Sequence, residues 1–149
     1  MFSGRTALNV DAKGRMAIPT RYRERLQEAC DGRLVLTQHP YDRCLALYPE
    51  DAWNRVAQSV ASLPDSSPEV RYLKRRFLGQ AVEVDMDGNG RFLIPAELRD
   101  LIQLDKKAML VGQITRFEVW SEVGWQAEQE KYQEITPEEM PVAVQELAF

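Results

Sequence analysis

The chain has 149 residues and a net charge of −4, and 44% of its residues are hydrophobic and 28% charged, as in globular proteins of one ordinary domain or two very small ones. No apolar stretch approaches the roughly 18–20 residues of a transmembrane helix, and Met1–Val10 lacks the apolar core of a signal peptide, so we expect a cytoplasmic protein without a membrane segment. The single histidine, His39, and the two cysteines, Cys30 and Cys44, show no metal-ligand spacing, which argues against a metal, a cofactor, a catalytic triad and an enzyme with a small-molecule substrate.

The first predicted elements are a strand, a tight turn and a second strand. Apolar and polar residues alternate at 8–10, as in a half-buried strand. Asp11 is able to accept hydrogen bonds from nearby backbone amides and Gly14 has a permissive backbone, so both are predicted to shape the turn. In the second strand the two-residue period directs Arg15 outward. Pro19 then ends this strand and suits the first turn of a helix.

Further along, helices and strands alternate. Apolar spacing predicts a short helix and then two strands, at 33–37 and 44–48. A helical connector follows, and it is interrupted at Pro64–Pro68, where two prolines and polar residues break a helix. The last part of the chain predicts a helix at 121–134 and a final short helix, which a capping box beginning at Thr136 opens.

The chain contains an internal repeat. With Gly14 aligned to Gly90, an offset of 76, the segments 8–19 and 84–95 share Asp, Gly, Arg, Ile and Pro, and their apolar positions match in type. Further on the offset falls to 72, which we attribute to one loop that is four residues shorter in the second copy. The sequence therefore predicts an α+β, β-rich protein built from two copies of one small unit, with Asp87 and Gly90 shaping the second turn.

The two predicted turns carry side chains that suit DNA. Arg15 is able to donate a bidentate pair to guanine in the major groove, and Lys13 to neutralise a phosphate. Arg91 recurs at the equivalent position of the second turn, whereas Lys13 is replaced by Asn89, whose amide also suits base recognition. Any exposed turn carries charges, and one turn alone would favour that simpler interpretation. The recurrence of arginine favours a β-hairpin that enters the major groove.

Three other patterns are interpreted as structural. The segment Asp85–Gly90 matches the opening of an EF-hand calcium loop, but the twelfth position, which needs a bidentate Glu, is Ala96. We therefore reject calcium and predict a tight turn. The basic run Arg71–Arg76 is more often a solvated helix face than a phosphate-binding surface. The Trp and Phe residues lie at core spacings and are interpreted as packing residues rather than base-stacking platforms.

The charge is unevenly distributed along the chain. Residues 1–80 hold 13 Lys and Arg against 9 Asp and Glu, whereas residues 121–149 hold one Lys against seven Glu. An acidic C-terminal segment therefore hides a mildly basic front half, which is compatible with DNA binding. Three interpretations of the acidic segment stay open: a solubilising helix, an assembly contact and a mimic of nucleic acid.

Four motifs together resemble the bacterial MraZ regulators, and the similarity covers nearly the whole chain except its acidic end. Each copy resembles the SpoVT–AbrB, or swapped-hairpin, DNA-binding unit. The longest of the four motifs, at residues 11–23, is specific to the family, whereas a lone Asp-x-x-x-Arg would not be. The motifs are Met1-Phe2-x-Gly4, Asp11-x-Lys13-Gly14-Arg15-x-x-x-Pro19-Thr20-Arg21-Tyr22-Arg23, Cys44-Leu45-x-Leu47-Tyr48-Pro49 and Asp87-Gly88-x-Gly90-Arg91.

The resemblance implies a fold, a partner and a site. It implies that two tandem swapped-hairpin units pair into one small barrel within the chain, and that several subunits form a homo-oligomeric ring. It implies binding in the nucleoid to G-rich direct repeats of double-stranded DNA, with regulation, expected as repression, of the division and cell wall gene cluster and of the protein's own gene. The family's DNA-contact loop maps onto Asp11, Lys13 and Arg15 in the first copy, and onto Asp87 and Arg91 in the second.

We therefore predict four segments: unit 1 at 5–49, a helical connector at 50–78, unit 2 at 79–121 and an acidic helical segment at 122–149. The first turn is expected to be the primary DNA site, and the second mainly to complete the barrel. The alternative function is an AbrB-like antitoxin or protein-interaction module, whose acidic tail blocks a partner. Here the acidic tail follows two full copies, which fits the MraZ arrangement better.

Overall fold

In the computed structural model, residues 1–149 form two similar units joined by a helical connector. The first half contains β1 (Arg5–Asn9), β2 (Arg15–Ala17), α1 (Thr20–Cys30), β3 (Leu34–Gln38), β4 (Leu45–Pro49), α2 (Glu50–Ala61) and α3 (Pro68–Phe77). The second half contains β5 (Val82–Glu83), β6 (Arg91–Leu93), α4 (Ala96–Leu101), β7 (Lys107–Gly112), β8 (Phe117–Ser121), α5 (Glu122–Lys131), a 3-10 turn (Pro137–Glu139) and α6 (Val142–Gln145). The order strand, turn, strand, helix, strand, strand occurs twice, so the predicted α+β, strand-rich class is confirmed. The bounds of the four predicted segments stay a prediction.

Six strands from both units form one antiparallel sheet in the order β1-β7-β8-β4-β3-β5. β1 of the first unit pairs with β7 of the second, from Arg5 opposite Val111 to Asn9 opposite Lys107. In the same way β5 of the second unit pairs with β3 of the first. Each unit therefore adds an edge strand to the part of the sheet that the other unit builds.

The remaining two strands, β2 and β6, form a separate antiparallel ribbon. Two further hydrogen bonds extend it: the amide of Ile18 donates to the carbonyl of Gly90 at 2.7 Å, and the amide of Ile94 donates to the carbonyl of Gly14 at 2.9 Å. The expected barrel is not closed, because no pairing joins the sheet edges β1 and β5, and β2 and β6 pair with each other instead of with the sheet.

The main hydrophobic core contains side chains from the ribbon, the sheet and the helices α1 and α4. Met16 and Phe92 point inward from the ribbon and are each 1% exposed, and they belong to the same cluster as Leu26 of α1 and Leu98 of α4. Burying a side chain of this size contributes about 1.5–3 kcal/mol. The core therefore fixes the inner face of the ribbon and leaves its outer face to solvent.

The connector packs against the sheet through a second, aromatic cluster. The rings of Trp53 and Phe77 have centroids 5.2 Å apart, and Tyr48 packs against both. The buried hydroxyl of Thr37 donates to the carbonyl of Phe77 at 2.6 Å, which joins the end of α3 to β3. The interpretation of Trp53 and Phe77 as packing residues is confirmed.

The strand pairing shows where the two copies differ in length. The amide of Val10 donates to the carbonyl of Lys106 at 2.8 Å, and the equivalent amide of Met86 donates to the carbonyl of Gly32 at 2.8 Å. The offset is thus 74 at this point, and it falls to 72 only where β4 and β8 align. The prediction of one four-residue loop difference is wrong, because the shortening is divided between the end of the helix and the hairpin that follows.

The C-terminal segment is helical only in part. The hydroxyl of Thr136 donates to the carboxylate of Glu139 at 3.1 Å, and a 3-10 turn forms there in place of the predicted helix start. The last helix begins later, at Val142, directly after Pro141, which is its N-cap. None of the helices combines the length and the apolar character that crossing a membrane requires.

Candidate nucleic-acid interface

The first turn, which we call turn 1 (residues 11–15), is closed by the side chain of Asp11. One carboxylate oxygen, Oδ1, accepts the backbone amides of Lys13 and Arg15, each at 2.9 Å. The other, Oδ2, accepts from Nε of Arg15 at 2.9 Å. Gly14 has a φ of +88°, a conformation that side chains with a Cβ rarely adopt. These bonds lie within five residues and make the turn a locally ordered unit.

The second turn, turn 2 (residues 87–91), repeats this arrangement. Oδ1 of Asp87 accepts the backbone amides of Asn89 and Arg91 at 2.8 and 2.9 Å, and Oδ2 accepts from Nε of Arg91 at 3.3 Å. Gly90 has a φ of +75°. Both oxygens of Asp87 are thus occupied by donors of the turn itself, which agrees with a tight turn and not with a calcium loop.

These hydrogen bonds stabilise the ionised carboxylates. The pKa of Asp11 and the pKa of Asp87 are both lowered, mainly because the backbone amide of the arginine four residues later donates to each carboxylate. Each carboxylate holds its arginine by Nε alone. The two terminal nitrogens of Arg15 and of Arg91 make no hydrogen bond within the protein, so both guanidinium groups keep the pair of donors that bidentate recognition requires.

The ribbon brings the two turns to one surface. Arg15 lies opposite Leu93, and Arg91 lies opposite Ala17. Because side chains on one strand alternate between faces, these four residues share the outer face of the ribbon. The two arginines are diagonal neighbours, a relationship in which residues lie about 7–8 Å apart. Their side chains are 30% and 34% exposed, so the ribbon presents two oriented guanidinium groups on one face.

Each turn is backed by an arginine from the other unit. A Cβ added to Gly14 would lie 2.8 Å from Cζ of Arg99 on α4, and Arg23 on α1 contacts Gly90 in the same way. Nε of Arg23 donates to the carbonyl of Ile18 at 2.7 Å, whereas the buried Nε of Arg99 has no partner. An unpaired cation close to the protein interior is energetically unfavourable unless it pairs with an anion. Neither arginine was predicted as a site residue, although the offset of 76 aligns them.

The two turns differ in charge. Lys13 at the tip of turn 1 is exposed, and so is Asn89 at the tip of turn 2. Turn 1 thus has two cations of its own, Lys13 and Arg15, one carboxylate, and a third cation, Arg99, against Gly14. Turn 2 gathers two cations around one carboxylate, so the first turn is the more positive of the two.

The basic run Arg71–Arg76 is largely engaged within the connector. Arg71 donates to the carbonyl of Asp65 at 2.9 Å, and Nζ of Lys74 donates to the carboxylate of the same residue at 2.6 Å. Nε of Arg76 donates to the carbonyl of His39 at 2.7 Å. The contacts of Arg71 and Lys74 join α3 to the loop after α2, and the contact of Arg76 joins α3 to the loop between β3 and β4, which supports the structural interpretation of the run.

One buried cluster has the composition of a metal site. The possible ligand atoms of His39, Cys44 and Glu118 lie within 4.8 Å of one another. Nδ1 of His39 accepts the amides of Tyr41 and Asp42 at 3.1 and 3.0 Å, so the ring proton lies on Nε2, which faces Glu118 at 3.4 Å. Burial, and then the charge of Glu118, raise the pKa of the Cys44 thiol well above its usual range. Because a metal would have to displace the thiol proton of Cys44 and the ring proton of His39, these residues fit a hydrogen-bonded cluster around the Glu118 carboxylate better than a metal centre.

This chain is similar to known proteins over most or all of its length. The profile of the family described as "MraZ protein, putative antitoxin-like" matches the chain twice, at residues 1–76 and 77–142. A "Transcriptional regulator MraZ" from Alcanivorax borkumensis is 53% identical over 149 residues, 100% of both chains. Proteins of the same name from Shewanella amazonensis and Pseudomonas putida are 49% and 46% identical over 148 and 127 residues, which cover 99% and 85% of this chain and 97% and 84% of theirs. Each family match contains one of the two turns.

Proposed function

Since the chain belongs to the MraZ family, we propose that it binds double-stranded DNA through the outer face of the β2–β6 ribbon and so regulates transcription. Members of this family are transcriptional regulators and not enzymes. The observation that carries the DNA-binding proposal is the placement of Arg15 and Arg91 on one exposed face. Each guanidinium is held at Nε by the carboxylate of its own turn, and its terminal nitrogens are free.

In this proposal the residues of turn 1 have separate roles. Arg15 donates its two terminal nitrogens to O6 and N7 of a guanine, a contact that discriminates by about 1–3 kcal/mol. Lys13 binds a phosphate, which adds affinity without sequence preference. Asp11 and Gly14 shape the turn, and Asp11 also restricts the motion of Arg15, so less side-chain entropy is lost when DNA binds.

Turn 2 repeats the recognition with different chemistry. Arg91 is held by Asp87 as Arg15 is held by Asp11, and Gly90 supports the turn conformation. Asn89 replaces the lysine at the tip, and its amide suits a pair of hydrogen bonds with adenine. We therefore assign the larger share of phosphate binding to turn 1, and a supporting role to turn 2.

We further propose an assembly that follows the family resemblance. Several copies form a ring with head-to-tail contacts, so that all ribbons face the same way. Such an array matches G-rich direct repeats about 10 base pairs apart, one helical turn of DNA. Many weak contacts then combine through avidity, which lets a chain of net charge −4 bind tightly.

The setting of this function is also a proposal. We place the protein in the cytoplasm, at the nucleoid, on repeats upstream of the division and cell wall gene cluster. There it regulates that cluster and its own gene, with repression as the expected direction. A second candidate, an antitoxin-like protein-interaction module, is favoured by the family description and by the acidic C-terminal segment with its exposed Val142, Leu147 and Phe149. Co-purification with a small toxic partner would support that second function.

The proposal is tested by titrating two duplexes, the promoter of the protein's own gene and the same duplex with its guanine runs replaced. Arg15→Ala should weaken promoter binding by about 1–3 kcal/mol per engaged turn and reduce discrimination. Lys13→Ala should weaken both duplexes alike. Arg55→Ala, on α2 and 71% exposed, is the matched control and should change neither. Unchanged promoter binding by Arg15→Ala at matched salt overturns the assignment.

A further inference from the structure

Two lysines of the second unit lie beside turn 1. β7 runs antiparallel to β1, so the start of β7 lies next to the end of β1, where turn 1 begins. The amide of Val10 donates to the carbonyl of Lys106 at 2.8 Å, and Asn9 pairs with Lys107. Both lysines are thus paired with the two residues that directly precede Asp11.

Both ammonium groups are available to a ligand. Lys106 and Lys107 are exposed, and neither takes part in a hydrogen bond or an ion pair of its side chain. The neighbouring acidic residue, Asp105, is exposed and unpaired as well. Cations without a partner lose no existing contact when they bind an anion, so their attraction to a phosphate is fully available.

The equivalent place beside turn 2 has a different charge. Gly32 accepts the amide of Met86 there, as Lys106 accepts the amide of Val10. Gly32 has no side chain to offer a ligand, so the first of the two lysines has no counterpart. The repeat therefore does not preserve this feature.

The second lysine has a counterpart that is already occupied. The residue after Gly32 is Arg33, whose guanidinium contacts Glu50 at 3.1 Å and Asp31 at 3.5 Å. Asp85 also stands in the second unit where the first unit has Asn9. Two free cations beside turn 1 are thus replaced beside turn 2 by one neutralised cation and an added carboxylate.

We propose that Lys106 and Lys107 bind DNA phosphates next to the bases that turn 1 contacts. This inference rests on the proposed function and deepens it. The interface at turn 1 is then composite: the first unit provides Lys13 and Arg15, and the second unit provides the two lysines with Arg99 behind the turn. The ribbon then binds phosphates strongly at its turn 1 end and weakly at its turn 2 end. This difference holds the DNA in one orientation.

The test measures the salt dependence of DNA affinity for Lys106→Gln, Lys107→Gln and the double variant, with Arg55→Gln as the charge-matched control. Promoter and random duplexes are titrated between 50 and 200 mM KCl. Each lost phosphate contact should make the slope of log affinity against log salt shallower by about 0.9. Over this salt range, the affinity of the variant should therefore fall about 3.5-fold less than the affinity of the unaltered protein. The double variant should weaken both duplexes by the same factor and leave their ratio unchanged.

The outcomes separate this inference from the function on which it rests. If the unaltered protein fails to distinguish the two duplexes, the proposed function fails and this inference fails with it. If the unaltered protein discriminates but the double variant matches Arg55→Gln in affinity and slope, this inference alone is overturned. A weaker affinity with an unchanged slope also overturns it, because a loss of phosphate contacts must change the slope. Equal melting temperatures establish that the variants are folded.

Discussion

The guanidinium of Arg99 lies against the backbone of Gly14, although the two residues belong to different units of the repeat. Arg23 and Gly90 have the same relationship in the opposite direction. Each turn is therefore shaped locally by its own Asp and Gly but supported by a helix of the other unit. The surface that we assign to DNA is complete only when both units fold together.

The contact at Gly14 predicts a sensitive position. Gly14→Ala adds a Cβ 2.8 Å from Cζ of Arg99 at a φ of +88°, and we expect a loss of about 1–3 kcal/mol in the free energy of unfolding together with weaker DNA binding. Gly88→Ala in turn 2 is the control, since a Cβ there meets nothing within 4 Å. Urea denaturation measures both variants. Equal stabilities of the two variants would show that Gly14 is not constrained in this way.

The bond between Asp11 and Arg15 predicts an effect on discrimination. Asp11→Asn keeps an oxygen for the two backbone amides but no longer accepts from Nε of Arg15. Ordering the freed arginine on DNA then costs about 0.5–1.5 kcal/mol more in side-chain entropy. The ratio of promoter affinity to random-duplex affinity should therefore fall about 2- to 12-fold. Asp51→Asn, which removes a carboxylate from α2, serves as the control for charge. An unchanged ratio in Asp11→Asn would contradict the orienting role.

The lowered pKa of Asp11 predicts how stability depends on pH. A carboxyl with a lowered pKa in the folded state binds fewer protons than in the unfolded state, so its stabilisation is present above its ordinary value of 3.8 and is lost as the pH falls through the lowered pKa. The difference in unfolding free energy between the unaltered protein and Asp11→Asn should be constant near neutral pH and should shrink below about pH 4. Denaturation at pH 7 and pH 3 measures it. A difference that grows on acidification would have the wrong sign.

The burial of both cysteines predicts unreactive thiols. Burial raises the pKa of Cys44, and the thiol of Cys30 is buried and donates to the carbonyl of Leu26 at 3.3 Å. Because the thiolate is the nucleophile, neither should react with an aromatic disulfide reagent at pH 8 in the folded protein, and both should react in denaturant. Cys30→Ser isolates the signal of Cys44. Rapid labelling of the folded protein would contradict the burial of the labelled residue.

Local chemistry explains what could be predicted from the sequence. The two-residue period directs Arg15 outward, and the spacing of Asp11 and Gly14 specifies the turn, because all of these contacts lie within a few residues of the chain. The repeat at an offset of 76 then predicts the same geometry for Asp87 and Arg91. Such features depend on neighbouring residues alone and are therefore visible in the sequence.

The features that were not predicted depend on contacts between distant residues. Nothing local to Arg15 indicates that β2 pairs with β6, so the diagonal relationship with Arg91 and the support from Arg99 required the structure. For the same reason the sequence did not show that the expected barrel is left open. Lys106 directly precedes β7 and Lys107 begins it, both after α4 in the sequence, and only the pairing of β7 with β1 places them beside turn 1.

The most direct test of the account sequences the DNA that the unaltered protein and its Arg15→Ala variant retain from a fragmented genome at the same salt concentration. The unaltered protein should enrich G-rich direct repeats about 10 base pairs apart. The variant, whose turn 1 keeps Asp11 and Lys13, should retain less DNA and show little or no enrichment of these repeats. Enrichment of the same repeats by Arg15→Ala, or no enriched sequence with the unaltered protein, would contradict the assignment of the ribbon as the DNA-reading surface.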